Sequence, residues 1–334
     1  MTFPPRSPWR LLLRALDSDH QPHFLLVLRR DFVESGKAMK RKGELIAAPP
    51  GEIFVPAGLK PATSPGPTVE SGRPNGHTPH RGVLIVNADD WGRDYENTER
   101  TLECIHRGSV SSVSAMVFMQ DSERAAATAR EQGIDAGLHL NFTTAFSAPG
   151  TPTRLIEHQQ RVSRYLGRHR FAQVAFHPGL ASSFGYLVAA QRDEFCRLYG
   201  REPARLDGHH HMHLCCNVLL GKLLPSGTMV RRNFSFQPGE KSFGNRFYRN
   251  VVDRLLARRH QLTDYFFSLP PLVPPSRLQR IFSLANEFTI ELETHPVVSG
   301  EYSFLLGEEF LRLSADIRIA PSSAISRAER SRTE

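Results

Sequence analysis

Aliphatic runs alternate with amphipathic stretches throughout residues 81–320 of the chain. The first run, residues 83–86, is continuously aliphatic, as expected of a strand that is buried on both faces of a parallel sheet. The next stretch, residues 94–107, reads as a helix and precedes Gly108, a residue type that favours helix ends. The same pattern predicts strands at residues 83–86, 110–118, 136–142, 205–213, 229–233, 264–269, 288–295 and 317–320.

Helices are predicted between these strands. They cover residues 94–107, 123–131, 186–199, 218–224, 247–260, 277–286 and 308–313, whereas residues 143–180 read as a long polar and basic connection. Seven or eight repeats of strand and helix indicate the α/β class and a distorted (β/α) barrel of parallel strands. A doubly wound open sheet is the alternative, but no GxGxxG follows the first strand, so its dinucleotide-binding form loses its main support.

The first 80 residues differ in composition from the rest. They hold half of the 24 prolines and half of the net charge of +8, and residues 47–80 are a Pro/Gly/Ser/Thr stretch typical of a linker. We therefore expect a disordered or weakly structured N-terminal extension with a Pro-rich linker at 1–80, a barrel at 81–322 and a polar tail at 323–334. Because the basic excess lies partly outside the barrel, it does not predict a nucleic-acid partner.

Apolar runs and the pattern of cysteines bear on where in the cell the protein is found. No apolar run near the start approaches the ~20 residues of a membrane span. Arg10 and Arg14 interrupt the one stretch that could serve as a signal-peptide core. The four cysteines show no CxxC spacing. We therefore expect a reduced, cytoplasmic protein without a membrane span.

Candidate chemistry collects where predicted strands end, which is the side of a barrel that carries catalytic residues. Asp89 and Asp90 follow the first strand, and two adjacent buried carboxylates repel each other unless a cation or a proton lies between them. His139 lies on the third strand, and His295 ends the seventh. Taken singly, each has an ordinary explanation: a helix cap for the aspartates, a hydrogen-bonded core histidine, or a surface histidine at a strand end.

The fourth predicted strand carries the strongest signal. Four of its residues within a span of five are histidines, and imidazole is the commonest metal ligand. The period of two of this strand places Asp207, His209, His211 and His213 on one face. A polar barrel lining without a metal is the alternative interpretation.

Together these residues predict metal-assisted hydrolysis. One carboxylate and two imidazoles leave coordination positions free for water and substrate, as in a catalytic rather than a closed structural site. A second carboxylate, kept off the metal, can take the proton of the bound water. Asp89 and Asp90 offer both kinds of carboxylate at one strand end.

Four ordered blocks of the sequence resemble the signature blocks of the YdjC-like carbohydrate deacetylases, which include chitooligosaccharide and hopanoid-associated enzymes. The blocks are NADDWG at 87–92, GLHLNF at 137–142, LDGHHHMH at 206–213 and ETHP at 293–296. The resemblance implies a distorted (β/α) barrel, a divalent metal, removal of N-acetyl groups from amino sugars, and a homodimer. By position it implies Asp90, His139 and His209 as metal ligands, Asp89 as general base and His295 as general acid.

The remaining candidates are substrate contacts or residues that orient the ligands, namely Asn141, Asp207, His211, His213, Arg231 and Trp91. Trp91 replaces the usual Phe of the family and keeps an aromatic wall. The resemblance points to Mg²⁺, whereas two imidazoles and one carboxylate also suit Zn²⁺ or Co²⁺. Another metal-dependent hydrolase on the same barrel, an amidohydrolase or a phosphohydrolase, stays open, as does a non-enzymatic metal-binding protein.

Overall fold

The computed structural model describes residues 82–168, 171–236 and 240–325. The predicted extension over residues 1–80 lies outside the described residues, as do residues 326–334 of the predicted tail. Within the described ranges, no helix has both the length and the apolar character needed to cross a membrane.

In the part of the chain that the structure describes, seven strands form one sheet in the order β5-β4-β3-β2-β1-β7-β6. Every neighbouring pair is parallel, which confirms the predicted α/β class and its parallel sheet. The strands are β1 (Val83–Trp91), β2 (Ser112–Ala115), β3 (Ala136–Leu140), β4 (Arg205–Gly208), β5 (Met229–Val230), β6 (Tyr265–Ser268) and β7 (Thr289–Thr294).

Helices connect successive strands and cover one face of the sheet. They are α1 (Tyr95–His106), α2 (Ser122–Gln132), α3 (Thr153–Leu166), α4 (Ala181–Tyr199), α5 (Cys216–Leu220), α6 (Phe243–Ala257), α7 (Pro275–Leu284), α8 (Ser299–Leu306) and α9 (Glu308–Ser314). Short 3₁₀ segments lie at Ala172–Val174, Pro178–Leu180 and His209–Leu214. One sequence prediction is wrong here, because the connection predicted over residues 143–180 contains α3 and the 3₁₀ segments at Ala172–Val174 and Pro178–Leu180.

Alternate strand residues face different surroundings, since successive side chains point to opposite faces of a sheet. On β7, Ile290 and Leu292 belong to the hydrophobic core, whereas Glu291 and Glu293 are buried on the other side. His139 takes the same polar side on β3. The sheet therefore has an apolar face under the helices and a polar inner face.

The two edge strands approach each other, so the sheet curls into an incomplete barrel around its polar face. Met229 of β5 forms a parallel bridge to Gln261, which lies just before β6. The Val230 amide donates a hydrogen bond of 2.9 Å to the carbonyl of Gln261. The predicted last strand over residues 317–320 is reduced to a single parallel bridge between Leu84 and Ile319.

Candidate metal centre and active site

A β-bulge at the end of β1 brings two neighbouring carboxylates to the same place. In a regular strand Asp89 and Asp90 would point to opposite faces. The pairing register with β2 slips between Ala88 and Trp91, and Asp90 has a left-handed backbone with φ of 63°. Such a bulge re-aims side chains. Both aspartates are therefore buried at the carboxyl end of the barrel, as the sequence predicted.

Asp90, His139 and His209 form a cluster that could hold a metal ion. One ligand atom from each lies within 4.8 Å of the other two. Asp90 Oδ1 is 2.9 Å from His209 Nδ1 and 3.6 Å from His139 Nε2. That oxygen is buried without an aligned hydrogen bond, while Oδ2 accepts one from Arg93 at 2.9 Å. An unsatisfied carboxylate oxygen facing two imidazole nitrogens fits a divalent cation.

The Asp207 carboxylate orients the His139 ring. Its Oδ1 lies 2.7 Å from His139 Nδ1, which leaves Nε2 to face Asp90. The other oxygen accepts hydrogen bonds from Ser114 Oγ at 2.6 Å and from Arg205 at 2.7 Å. A carboxylate behind a ligating histidine fixes its tautomer and ring orientation, so Asp207 supports the ligand rather than touching substrate.

The predicted fourth strand is wrong beyond Gly208, where β4 ends. A Cβ at Gly208 would lie 3.0 Å from the His213 backbone nitrogen, so the chain folds back tightly there. His210 and His211 have left-handed backbones with φ of 55° and 57°. The alternation expected for a strand therefore fails, and of the four histidines only His209 joins the cluster.

The other histidines of this turn have separate surroundings. His211 Nε2 is 3.6 Å from a Glu293 oxygen, and its ring packs edge-on against Phe234 at 4.6 Å between centroids. His213 is fully buried, with Nε2 3.0 Å from the Arg231 carbonyl oxygen. His211 thus faces the cleft, whereas His213 fixes the turn to the segment after β5.

Burial lowers the pKa of His209 to about 4. The neutral imidazole that a metal requires is therefore the ordinary state of this residue.

Arg231 clamps Asp89. Its two terminal nitrogens donate to the two Asp89 oxygens, both at 2.7 Å, and its Nε donates to Glu291 at 2.8 Å. Asn87 donates a further bond of 2.7 Å to Asp89 Oδ1. Burial alone would raise the pKa of Asp89, but the Arg231 and His139 charges hold it well below its usual range. Asp89 is thus an ionised carboxylate with a fixed orientation beside the cluster.

The end of β7 adds Glu293 and His295. One oxygen of Glu293 lies within 4.8 Å of ligand atoms of both Asp89 and His295. Burial and the Asp89 carboxylate raise the pKa of Glu293 well above its ordinary value. The His295 backbone amide donates to Glu301 at 2.8 Å, and Thr294 Oγ1 donates to the same oxygen at 2.9 Å. Sequence reasoning missed Glu293, although its alternation with Glu291 on β7 was a usable signal.

The balance of buried charge also favours a cation. Five buried carboxyl groups surround the cluster, Asp89, Asp90, Asp207, Glu291 and Glu293, and the buried guanidiniums are Arg205 and Arg231. The raised pKa of Glu293 favours its neutral form, so the other carboxylates exceed the guanidiniums by two. Despite burial, Asp89 and Asp207 raise the pKa of His139 in turn, and Arg93 offsets the surplus only in part because 28% of its side chain is exposed. Uncompensated buried charge is costly, so a divalent ion would relieve this site.

Two predicted contact residues do not line the cleft. Trp91 is fully buried in the hydrophobic core, so the prediction of an aromatic wall is wrong. Asn141 is also fully buried, and its side chain binds the backbone of Thr143 and Thr144. Asn141 therefore shapes the loop after β3 rather than touching substrate.

Known proteins resemble this chain in sequence. A family model described as "YdjC-like protein" matches residues 83–316. A carbohydrate deacetylase of Mus musculus is 31% identical over 173 residues, which are 48% of this chain and 52% of the relative. A chitooligosaccharide deacetylase of Serratia marcescens is 32% identical over 137 residues, which are 40% of this chain and 51% of the relative. The chain spans about half the length of the curated relatives it matches.

A solved structure shares the fold. It is a protein of Enterococcus faecalis V583 described as a candidate cellobiose-phosphate cleavage protein, with a TM-score of 0.53 and 17% sequence identity. The match covers 73% of this chain and 99% of that protein. At this identity the likeness concerns the fold alone.

Proposed function

Because this chain belongs to the YdjC-like protein family, we propose that it is a metal-dependent hydrolase that removes the N-acetyl group of an amino sugar and releases acetate. Its substrate would be a chitooligosaccharide-like glycan, in keeping with the names of the Serratia and mouse relatives. One observation carries the proposal: a carboxylate and two imidazoles with room for a cation lie directly beside a second, clamped carboxylate.

Asp90, His139 and His209 would hold the metal. A divalent ion bound there would polarise the acetyl carbonyl and lower the pKa of a water molecule. Asp207 keeps His139 in the tautomer that offers Nε2. Mg²⁺ is the proposed ion, as in the family that the sequence blocks resemble, and the donor set also suits Zn²⁺ or Co²⁺.

Asp89 is the proposed general base. Its pKa lies well below the usual range, mainly through Arg231, so it is ionised and can accept a proton from the attacking water. The bidentate clamp holds both oxygens in fixed positions, which limits the reorientation needed before proton transfer. Arg231 would also keep Asp89 from swinging onto the cation and becoming a fourth ligand.

His295 is the proposed general acid. It lies within reach of Asp89 and Glu293 at the mouth of the barrel, and its backbone is held by Glu301. An amide nitrogen leaves poorly as an anion, so a proton donated by the imidazole is needed when the carbon–nitrogen bond breaks. The products would be acetate and the free amine of the sugar.

Acetate release from a panel of N-acetylated sugar oligomers tests the proposal. We expect acetate from at least one oligomer, loss of release after treatment with EDTA, and recovery on adding Mg²⁺, Zn²⁺ or Co²⁺. Release that EDTA does not affect would contradict the metal-dependent mechanism. No acetate from any oligomer, combined with hydrolysis of phosphate esters or cyclic amides, would favour another hydrolase on the same barrel.

Assembly and location are also part of the proposal. We propose a homodimer located in the cytoplasm. Light scattering of the purified full chain would give its mass, and fractionation of the source cells would give its compartment. A monomer, or a protein recovered outside the cytoplasm, would contradict the respective part.

A further inference from the structure

Two adjacent threonines of the loop after β3 bind two adjacent histidines of the turn after β4. Thr144 Oγ1 lies 2.9 Å from His209 Nε2, and Thr143 Oγ1 lies 2.9 Å from His210 Nδ1. The two histidine rings are close, with centroids 3.9 Å apart. Only His209 belongs to the cluster that could hold a metal. The two contacts are therefore alike in geometry, but only the contact with His209 can affect metal binding.

The contact with Thr144 holds the His209 ring by the nitrogen that does not face the cluster. Nδ1 faces Asp90 Oδ1 at 2.9 Å, so it is the nitrogen directed into the cluster. A metal needs the lone pair of that nitrogen, which requires the ring proton to reside on Nε2. In that tautomer Thr144 Oγ1 accepts a hydrogen bond from Nε2–H, and the contact also fixes the rotation of the ring.

The loop that carries Thr144 is held rigidly. The Asn141 amide donates to the Thr144 carbonyl at 2.7 Å, and Asn141 Oδ1 accepts from the Thr144 amide at 2.9 Å. Gln159 of α3 donates a second bond of 2.7 Å to the same carbonyl. Asn141 and Gln159 are themselves buried, so the hydroxyl of Thr144 is presented by a fixed backbone.

We propose that Thr144 is a positioning residue of the metal centre, which holds His209 in the Nε2-protonated tautomer and thereby raises the affinity of the site for a divalent cation. This inference deepens the proposed function and rests on it. Partners of this kind behind a metal-ligating histidine typically change metal affinity by ~10–100-fold. Asp207 plays the corresponding part for His139, so each ligating imidazole has its own partner.

Metal binding by matched variants of the full chain tests this role. We expect Thr144→Val to weaken Zn²⁺ binding, measured by calorimetry, by about 10–100-fold at unchanged stoichiometry. Thr144→Ser, which keeps the hydroxyl, should bind like the parent protein. Thr143→Val is the control, because it removes the neighbouring contact with a histidine outside the cluster. Thermal unfolding of all variants checks that they are folded.

Three outcomes overturn the proposal. Zn²⁺ binding by Thr144→Val as tight as that of the parent would refute the role of the side chain, and equal losses in the two valine variants would show a general effect of the loop. Failure of Thr144→Ser to retain affinity would exclude the hydroxyl as the cause. Absence of Zn²⁺ binding by the parent would instead reject the metal site and the proposed function with it.

A second measurement needs no variant. In the Zn²⁺-loaded parent protein with ¹⁵N-labelled histidine, long-range proton–nitrogen spectra distinguish the two ring tautomers. We expect His209 to be protonated at Nε2 and its remaining proton to be protected from exchange with water. Protonation at Nδ1 in the loaded protein would overturn the assignment even if Thr144→Val failed to fold.

Discussion

Replacing Arg231 with Met tests whether the clamp on Asp89 is a major source of stability. Arg231 is 1% exposed and donates two bonds to Asp89 and one to Glu291. It also lies 3.2 Å from an Asp207 oxygen. Methionine fills much of the same volume but removes the positively charged partner of these buried carboxylates. Removing one partner of a buried ion pair typically costs about 3–5 kcal/mol.

The expected loss of unfolding free energy has a characteristic pH dependence. In the parent, the pKa of Asp89 lies below its unfolded value, so its pairing contributes stability that is present above that value, ~3.9, and disappears as the pH falls through the depressed pKa. In the Arg231→Met variant, burial without the guanidinium raises the carboxylate pKa, so protonation on acidification relieves the unpaired charge. The difference in unfolding free energy should therefore be largest near neutral pH and shrink toward pH ~4.

Urea unfolding at fixed Zn²⁺ concentration, followed by circular dichroism between pH 7 and pH 5, measures this difference. A loss of 3–5 kcal/mol corresponds to a fall in melting temperature of about 6–20 °C for a domain of this size. Arg192→Met is the control, because Arg192 pairs with Glu202 at the surface and such pairs contribute at most ~1 kcal/mol. An Arg231→Met variant as stable as the control would refute the reasoning.

Three further predictions concern the site and the chain around it. Asp89→Asn should lower kcat by about 10²–10⁴-fold, the usual contribution of a general base, while calorimetry still finds one Zn²⁺ per chain; near-normal turnover would reject the base assignment. Glu293→Gln should unfold at nearly the parent temperature at pH 7, because the raised pKa favours the neutral acid that glutamine mimics, and a large loss of stability would show that the side chain is ionised. Deletion of residues 1–80 should leave Zn²⁺ affinity and acetate release intact, and a folded but inactive truncation would contradict that expectation.

Much of the site could be predicted from sequence because parallel strands bring their carboxyl ends to one edge. Asp89, His139 and His295 each end or interrupt a predicted strand, and the structure gathers all three at the mouth of the barrel. The prediction that alternate residues of the histidine run share one face was wrong, because a period of two holds only while a strand continues. Gly208 and the left-handed backbones of His210 and His211 end β4 early, and no side-chain period encodes such a turn.

Helix α3 was not predicted, because a buried polar residue interrupts its apolar face. Its buried positions are Leu155, Gln159, Val162 and Leu166, which follow the helical spacing of three and four. Gln159 interrupts the apolar face of the helix, and basic residues flank it. The sequence pattern therefore indicated a connection here instead of a helix. The structure explains the glutamine, which donates to the Thr144 carbonyl and accepts from the Phe146 amide at 3.1 Å. A position that weakens the helical pattern thus supports the loop beside the metal cluster.

Left-handed backbone conformations and buried charge coincide at this site. Left-handed conformations of residues other than glycine cost of order 1–3 kcal/mol each, and they persist only where the surroundings enforce them. Asp90 and His210 adopt them on either side of the ligand atoms, where Arg93 and Thr143 hold their side chains. A divalent ion bound there would offset the surplus carboxylates and so add its binding free energy to the stability of the folded chain.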